Sequence, residues 1–216
     1  MRSGAALLAA LFVLGAAIGA AAPPATREQA LAALKNRDDA DVRRRGAAWL
    51  GDTGSMNDVP LLVEALRDPD EVVRALAEQS LWQVWSRSAD SEVDTLFQLG
   101  LEQMNQRALE AAIDTFALII RKKPDFAEGW NKRATLYYLV GEYEKSLADC
   151  EEVIKRNPLH YGALSGFGMI YLQLGEAEKA LDYFQRALAV NPNLTQVEAA
   201  VNELRRLLIE KRRDTI

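Results

Sequence analysis

Three prolines, Pro124, Pro158 and Pro192, stand 34 residues apart, and the residues between them repeat with the same period. A period of that length marks stacked copies of one supersecondary unit, each too small to bury its apolar face alone. Several columns share it. Leu96, Trp130 and Leu164 align, as do the small residues Gly100, Ala134 and Gly168. Ala112, Ser146 and Ala180 form a second small column. Phe116, Cys150 and Phe184 form a third, and Ile119, Val153 and Ala187 a fourth.

Each unit reads as two helices. In the middle unit Trp130, Ala134 and Tyr137 share one face at helical spacing. Gly141 supplies the left-handed residue that ends such a helix. Leu147, Cys150 and Ile154 form the apolar face of the second helix, and Asn157-Pro158 stops it, because proline disfavours the helical conformation in the residue before it. The small columns predict close approach of the paired helices. Thr195 to Glu210 predicts one further amphipathic helix, with Val197, Val201, Leu204 and Leu208 on the face that would cap the array.

On Trp130, Tyr137 and Pro158 of the middle unit, and Gly168, Tyr171, Ala180, Phe184, Ala187 and Pro192 of the last, the sequence resembles the tetratricopeptide repeat (TPR) family. The expected units are 93–126, 127–160 and 161–194 within 91–194, with a capping helix and tail over 195–216. The first unit departs most: Gln103 stands where an aromatic is usual, and Arg107 replaces the turn glycine. The resemblance implies a concave groove lined by the first helix of each unit. It would hold Phe97, Leu101 and Met104, then Asn131, Thr135 and Tyr138, then Ser165, Met169 and Leu172. The first three either face that groove or are covered by preceding helices or a second copy of the chain. The family's two-carboxylate clamp is missing, since Phe97 and Leu101 occupy positions where it needs basic and amide side chains. The resemblance therefore does not imply chaperone-tail binding by that mode.

Residues 23–90 carry a looser repeat of about 31 residues, by superposing "DADVRRRGAAWLGDTG" on "DPDEVVRALAEQSLW". Asp68 and Pro69 read as a helix start completed by Glu71. Asp39–Arg43 and Asp70–Arg74 are spaced to pair along one helix. The "D-x-x-V-R" and "LGDTG-x-x-x-x-VPLL" stretches resemble the HEAT family, in a short variety also found in phycobilin lyases; with two units present, the lyase activity is not carried over. The fold expected is an all-α, right-handed helical-repeat solenoid, with both arrays stacked continuously across a tight junction at 86–91. Trp82 and Trp85 share a face and either pack that junction against Leu96 or cradle a ligand.

The first 22 residues predict a secretory signal peptide: Arg2, an uncharged run from Ala5 to Ala22, and small residues allowing cleavage after Ala21. Its product would be exported, to the periplasm or an equivalent space. The alternative is an uncleaved inner-membrane anchor, the only way this reading brings in a membrane. Export makes the lone Cys150 notable, because one cysteine makes no internal bridge. Its column places it on a buried helix face, as an inert thiol in slack packing. Cys150→Phe or Cys150→Leu is then expected to be tolerated better than Cys150→Asp.

No catalytic constellation emerges. His160 is the sole histidine and reads as a surface-turn residue. With one His and one Cys, no metal site is expected, and no cofactor or phosphate loop is indicated. Arg43-Arg44-Arg45 is balanced by Asp38, Asp39 and Asp41, and the net charge is -5, so nucleic acid is not an expected partner. The expected function is a non-enzymatic protein–protein interaction scaffold of the cell envelope, holding a protein or peptide in the TPR groove. The alternatives are a self-associating assembly element, hence a homo-oligomer, or a subunit of a cofactor-maturation or cell-wall assembly enzyme complex.

Overall fold

Eleven α-helices and one 3-10 turn make up the described part of the chain, residues 22–213 of the computed structural model. Apart from Ala22, the segment read as a signal peptide lies outside the described residues. The HEAT-like pairs are α1 (Arg27–Leu34) with α2 (Ala40–Thr53), and α3 (Val59–Ala65) with α4 (Glu71–Trp85). The 34-residue units are α5 (Ser91–Asn105) with α6 (Leu109–Lys122), α7 (Ala127–Leu139) with α8 (Tyr143–Arg156), and α9 (Tyr161–Gln173) with α10 (Ala177–Val190). The last helix, α11 (Thr195–Arg213), buries Val201 and Leu204 against Ala180 and Phe184, as the apolar spacing predicts.

The turns inside each unit follow their sequences. Gly141 and Gly175 adopt φ of 79° and 75°, and Arg107, standing in the same column, is held at 58°. In α8 the Ser146 hydroxyl donates to the Ala134 carbonyl at 2.7 Å, which locks the small columns together. In the outer units the same columns are filled reciprocally. A methyl at Gly100 would stand 2.6 Å from the Phe116 ring, and one at Gly168 would collide with Phe184. The middle unit places Ala134 and Cys150 there instead.

Local pairing in the HEAT-like half differs from expectation. Asp70, not Asp68, caps α4, accepting from the Val73 N–H at 2.9 Å. Asp68 turns the chain before it by accepting from the Asp70 N–H. Arg43 does not pair with Asp39, whose carboxylate is used capping α2. It reaches the next unit and grips Asp68 through two hydrogen bonds of 2.7 and 2.9 Å, while Arg44 grips Asp70 in the same way. Arg74 donates to the backbone carbonyls of Asp68 and Pro69 rather than to Asp70. Forked, half-buried pairs between units outcompete an exposed pair along one helix, which water and salt screen.

The two arrays do not continue as one linear stack. The HEAT-like half lies against the turns that follow α6, α8 and α10. Trp85 shares a cavity wall with Phe126 and Asn157, and stacks on His160 with ring centroids 4.4 Å apart. Trp82 meets Tyr161 edge-on at 5.6 Å. Further back along the chain, Glu78 accepts from Asn191, the Leu66 carbonyl accepts from Asn193 Nδ2 at 2.8 Å, and Arg67 donates to the carbonyls of Ala189 and Val190. The last turns of α6 and α8 carry their own basic residues, and that of α10 carries none. Arg67 supplies the missing cation at the negative end of that helix from across the junction. The two tryptophans therefore pack the junction against the third unit, not against Leu96, and Tyr161 belongs to the HEAT-like core.

Candidate functional site

The groove between α7 and α9 contains a cleft of about 270 Å³. Asn131, Thr135 and Tyr138 line one wall, Ser165 and Met169 the other, and Ala134, Cys150 and Ile170 form the apolar floor. Five of the nine residues expected in the groove thus meet at one place. The cleft lies where the aromatic column is interrupted, with Cys150 in place of the phenylalanines of the outer units. Gly166 contributes a second small surface, 3.4 Å from the Cys150 sulfur to where a methyl would sit.

Polar groups around the cleft are poised to accept. Thr135 and Ser165 donate their hydroxyl protons to the Asn131 and Tyr161 carbonyls of their own helices, which leaves oxygen lone pairs available. Tyr138 accepts from Gln173 at the outer end. Met169, 42 % exposed, forms the flexible rim, and Leu139, Val140 and Leu174 extend an exposed apolar margin beyond it.

The other four expected groove residues lie elsewhere. Phe97 is 1 % exposed, packed edge-on against Phe116 at 5.8 Å and Phe126 at 5.5 Å. It is covered by its own and the following unit rather than by the HEAT-like helices. Leu101 and Met104 pack against the same cluster, and Leu172 packs on that of Phe184. Phe97 is drawn into the core between paired helices, while Leu101, Met104 and Leu172 stay partly exposed at the margins of their clusters.

Burial raises the Cys150 thiol to about 12, with Asp149 and Glu151 adding to the effect, so the thiol stays protonated and unreactive. Asp149 is engaged by Arg133 through two 2.8 Å hydrogen bonds, and Arg133 lies over the Trp130 and Tyr137 rings.

Beneath the inner end of the cleft is a buried polar cluster that the sequence reading missed. His160 is not a surface residue; it is fully buried. Its Nδ1 accepts from the Ala163 N–H at 3.0 Å, capping α9, so the ring proton sits on Nε2 and points to Glu128 at 2.9 Å. Glu128, also fully buried, accepts from Asn131 Nδ2 and from Lys132 Nζ, both at 3.0 Å. Burial alone would raise the Glu128 carboxyl; the hydrogen bond from His160 and the Lys132 ammonium outweigh it and hold the group well below the usual carboxylate range. The available signal was position: His160 directly precedes a repeat helix, where a ring nitrogen can cap.

Comparison with known proteins agrees with this geometry. The family model described as tetratricopeptide repeat matches residues 125–193, and that described as HEAT repeats matches residues 3–82. A TPR repeat-containing protein of Rhizobium etli is 35 % identical over 138 residues, covering 64 % of this chain and 67 % of the relative. Anaphase-promoting complex subunit 3 of Schizosaccharomyces pombe is 34 % identical over 88 residues, 41 % of this chain but 13 % of that protein. Among solved structures, the first TPR of Spaghetti bound to an HSP90 peptide superposes with a TM-score of 0.53 at 20 % identity, covering 55 % of this chain and 94 % of that one. With the repeat columns, the paired helices and these matches together, the chain belongs to the tetratricopeptide-repeat proteins and carries HEAT repeats before its TPR units.

Proposed function

We propose that the protein is a non-enzymatic adaptor that holds an extended peptide, or an exposed segment of a partner protein, along α7 and α9. The observation that carries this reading is the cleft at Cys150. Its apolar floor and volume suit one apolar side chain, and the flanking Thr135, Ser165 and Tyr138 oxygens suit the N–H groups of a peptide backbone. Met169 supplies an adaptable edge. The first TPR of Spaghetti, solved bound to an HSP90 peptide, supports the same reading. The uncharged N-terminal run supports placing the adaptor outside the cytoplasm, in the cell envelope.

The test is crosslinking in cells with the tagged full chain, comparing wild type with Tyr138→Glu and Met169→Glu. Capture of a partner is expected to disappear in both variants while far-ultraviolet circular dichroism is unchanged. Equal capture by folded variants would remove the groove from the reading. Fractionation of the same cells checks the location, and recovery in the cytosol would refute the envelope placement.

A further inference from the structure

A second cavity, of about 390 Å³, adjoins the inner end of the cleft. Gly162 and Ser165 of α9 line both, so the two share a border. Part of its wall comes from the HEAT-like half, as Glu78 and Trp82 of α4, and part from Leu194 and Val197 at the start of α11. Gly162 lets α9 run this close to α4, since a methyl there would stand 2.8 Å from the Trp82 ring. The charge of the cavity is one-sided. Among its lining residues Glu78 alone is charged. It is half-buried and, within the described residues, pairs with no cation; it has a long hydrogen bond, 3.4 Å, from the neutral Asn191 amide. Asp58, Asp68, Asp70, Glu128 and Asp149 are each gripped by an arginine or a lysine. The cations of this region are committed. Lys132, 5.6 Å from the Trp82 ring centroid, is paired with Glu128, and Arg67 and Arg74 are spent on backbone carbonyls. The two helix starts at the cavity have partners of their own: His160 caps α9, and Glu198 stands in the first turn of α11. A half-buried carboxylate left unmatched costs free energy, and a cation from outside the chain would recover it.

We infer that this cavity receives a lysine or arginine side chain of the same partner segment that occupies the cleft, its cation paired with Glu78 and its stem laid against Trp82, Leu194 and Val197. This rests on the groove reading above and adds a basic residue to the partner's description. The spacing follows from α9. The cleft centres near Gly166 and the cavity near Gly162, about 6 Å apart at the helical rise. An extended segment covers that distance in about two residues, and side chains two apart lie on the same side of it. The partner segment is therefore extended, with an apolar residue and a basic one at i and i+2. The TPR units alone do not read the basic residue, because Glu78 belongs to α4.

The test is a titration of the 15N-labelled full chain with acetyl-Leu-Ala-Lys-amide, and with acetyl-Lys-Ala-Leu-amide for the opposite chain direction. Norleucine in place of lysine removes the ammonium and keeps the stem. Affinities are read from the backbone amide signals of Thr135 and Ser165 in the cleft. In one direction the lysine peptide is expected to bind about tenfold more tightly than its norleucine counterpart. Glu78→Gln, which keeps an acceptor for Asn191, is expected to remove that difference. Cleft signals that respond equally to lysine and norleucine peptides in both directions overturn this inference and leave the groove reading standing. A lysine advantage that survives Glu78→Gln overturns it too, by placing the ammonium elsewhere. No response at the cleft to any of the peptides overturns both.

Discussion

The interrupted aromatic column allows a sharp test of how the TPR units are packed. In the first and third units a glycine faces a phenylalanine; in the second, Ala134 faces Cys150. A phenylalanine at 150, set as Phe116 is, would press its ring on the Ala134 methyl, since a methyl at Gly100 falls 2.6 Å from the ring. Cys150→Phe alone is therefore expected to destabilise by about 2 kcal/mol, as overpacking does. This sets a cost on the phenylalanine that the apolar column by itself does not show, while a buried, unpaired aspartate at 150 is still expected to cost more. Ala134→Gly alone loses about 1 kcal/mol of helix propensity and a further ~0.8 kcal/mol for the buried methyl. The double variant recreates the outer-unit pairing. It buries a full ring, so its stability is expected to return to within about 1 kcal/mol of wild type. The coupling is then about 3–4 kcal/mol, at or slightly above the upper end for residues in contact. Urea unfolding read by midpoint, with the slope unchanged between variants, measures it. Single effects that add to within about 0.5 kcal/mol in the double variant would refute the reciprocal packing. The double variant also fills the cleft floor, so it should lose partner capture while keeping its stability.

Arg107 occupies a left-handed conformation that costs a side-chain-bearing residue about 1 kcal/mol. Arg107→Gly is expected to stabilise by roughly 0.5 kcal/mol after the added freedom of the unfolded glycine is counted, and Gly141→Ala to destabilise by about 1 kcal/mol, both read by thermal midpoint. Glu128→Ala leaves His160, Asn131 and Lys132 without their shared acceptor, and a loss of about 3 kcal/mol is expected in urea unfolding. Arg44 and the Val73 N–H hold the Asp70 carboxyl at about 2, below its ordinary 3.8. A depressed carboxyl contributes stability that is complete above its unfolded pKa and lost as pH falls from about 4 to about 2. Asp70→Asn is expected to flatten that part of the acid stability profile. Alkylation of native Cys150 should be slow and should follow the rate of opening of the structure, because its thiol is raised to about 12; fast labelling at neutral pH would contradict the buried placement.

The register of the TPR units was legible because each helix buries a face of fixed period. Trp130, Ala134, Gly141 and Pro158 each state a local requirement of packing, turn or termination. The first unit was legible only in outline. Which of its apolar residues faces the groove depends on whether Phe116 and Phe126 draw Phe97 inward, and that is a matter of ring geometry rather than spacing. The cleft was half legible: the small Cys150 column signalled slack packing, and five groove residues converge on it. The docking of the HEAT-like half was illegible. It runs through turn residues such as Asn157, His160 and Asn193, which carry no periodic pattern. Their partners lie up to 127 residues away in the chain. His160 was misread for the same reason, since its burial comes from Trp85 and Glu128 and not from its neighbours in sequence.

The clasp of Arg67 and Leu66 on Ala189, Val190 and Asn193 changes the kinetic character expected of the chain. Helical repeats assemble through neighbour contacts and fold fast because little loop entropy must be spent first. Here the final repeat is completed by a segment made more than 120 residues earlier, so its last turn waits for a long-range closure. During synthesis the early half stands ready as a docking edge while the repeats emerge one by one. The last of them to arrive closes the structure, and cutting the chain between its two halves would leave α10 with its C-terminal carbonyls uncovered.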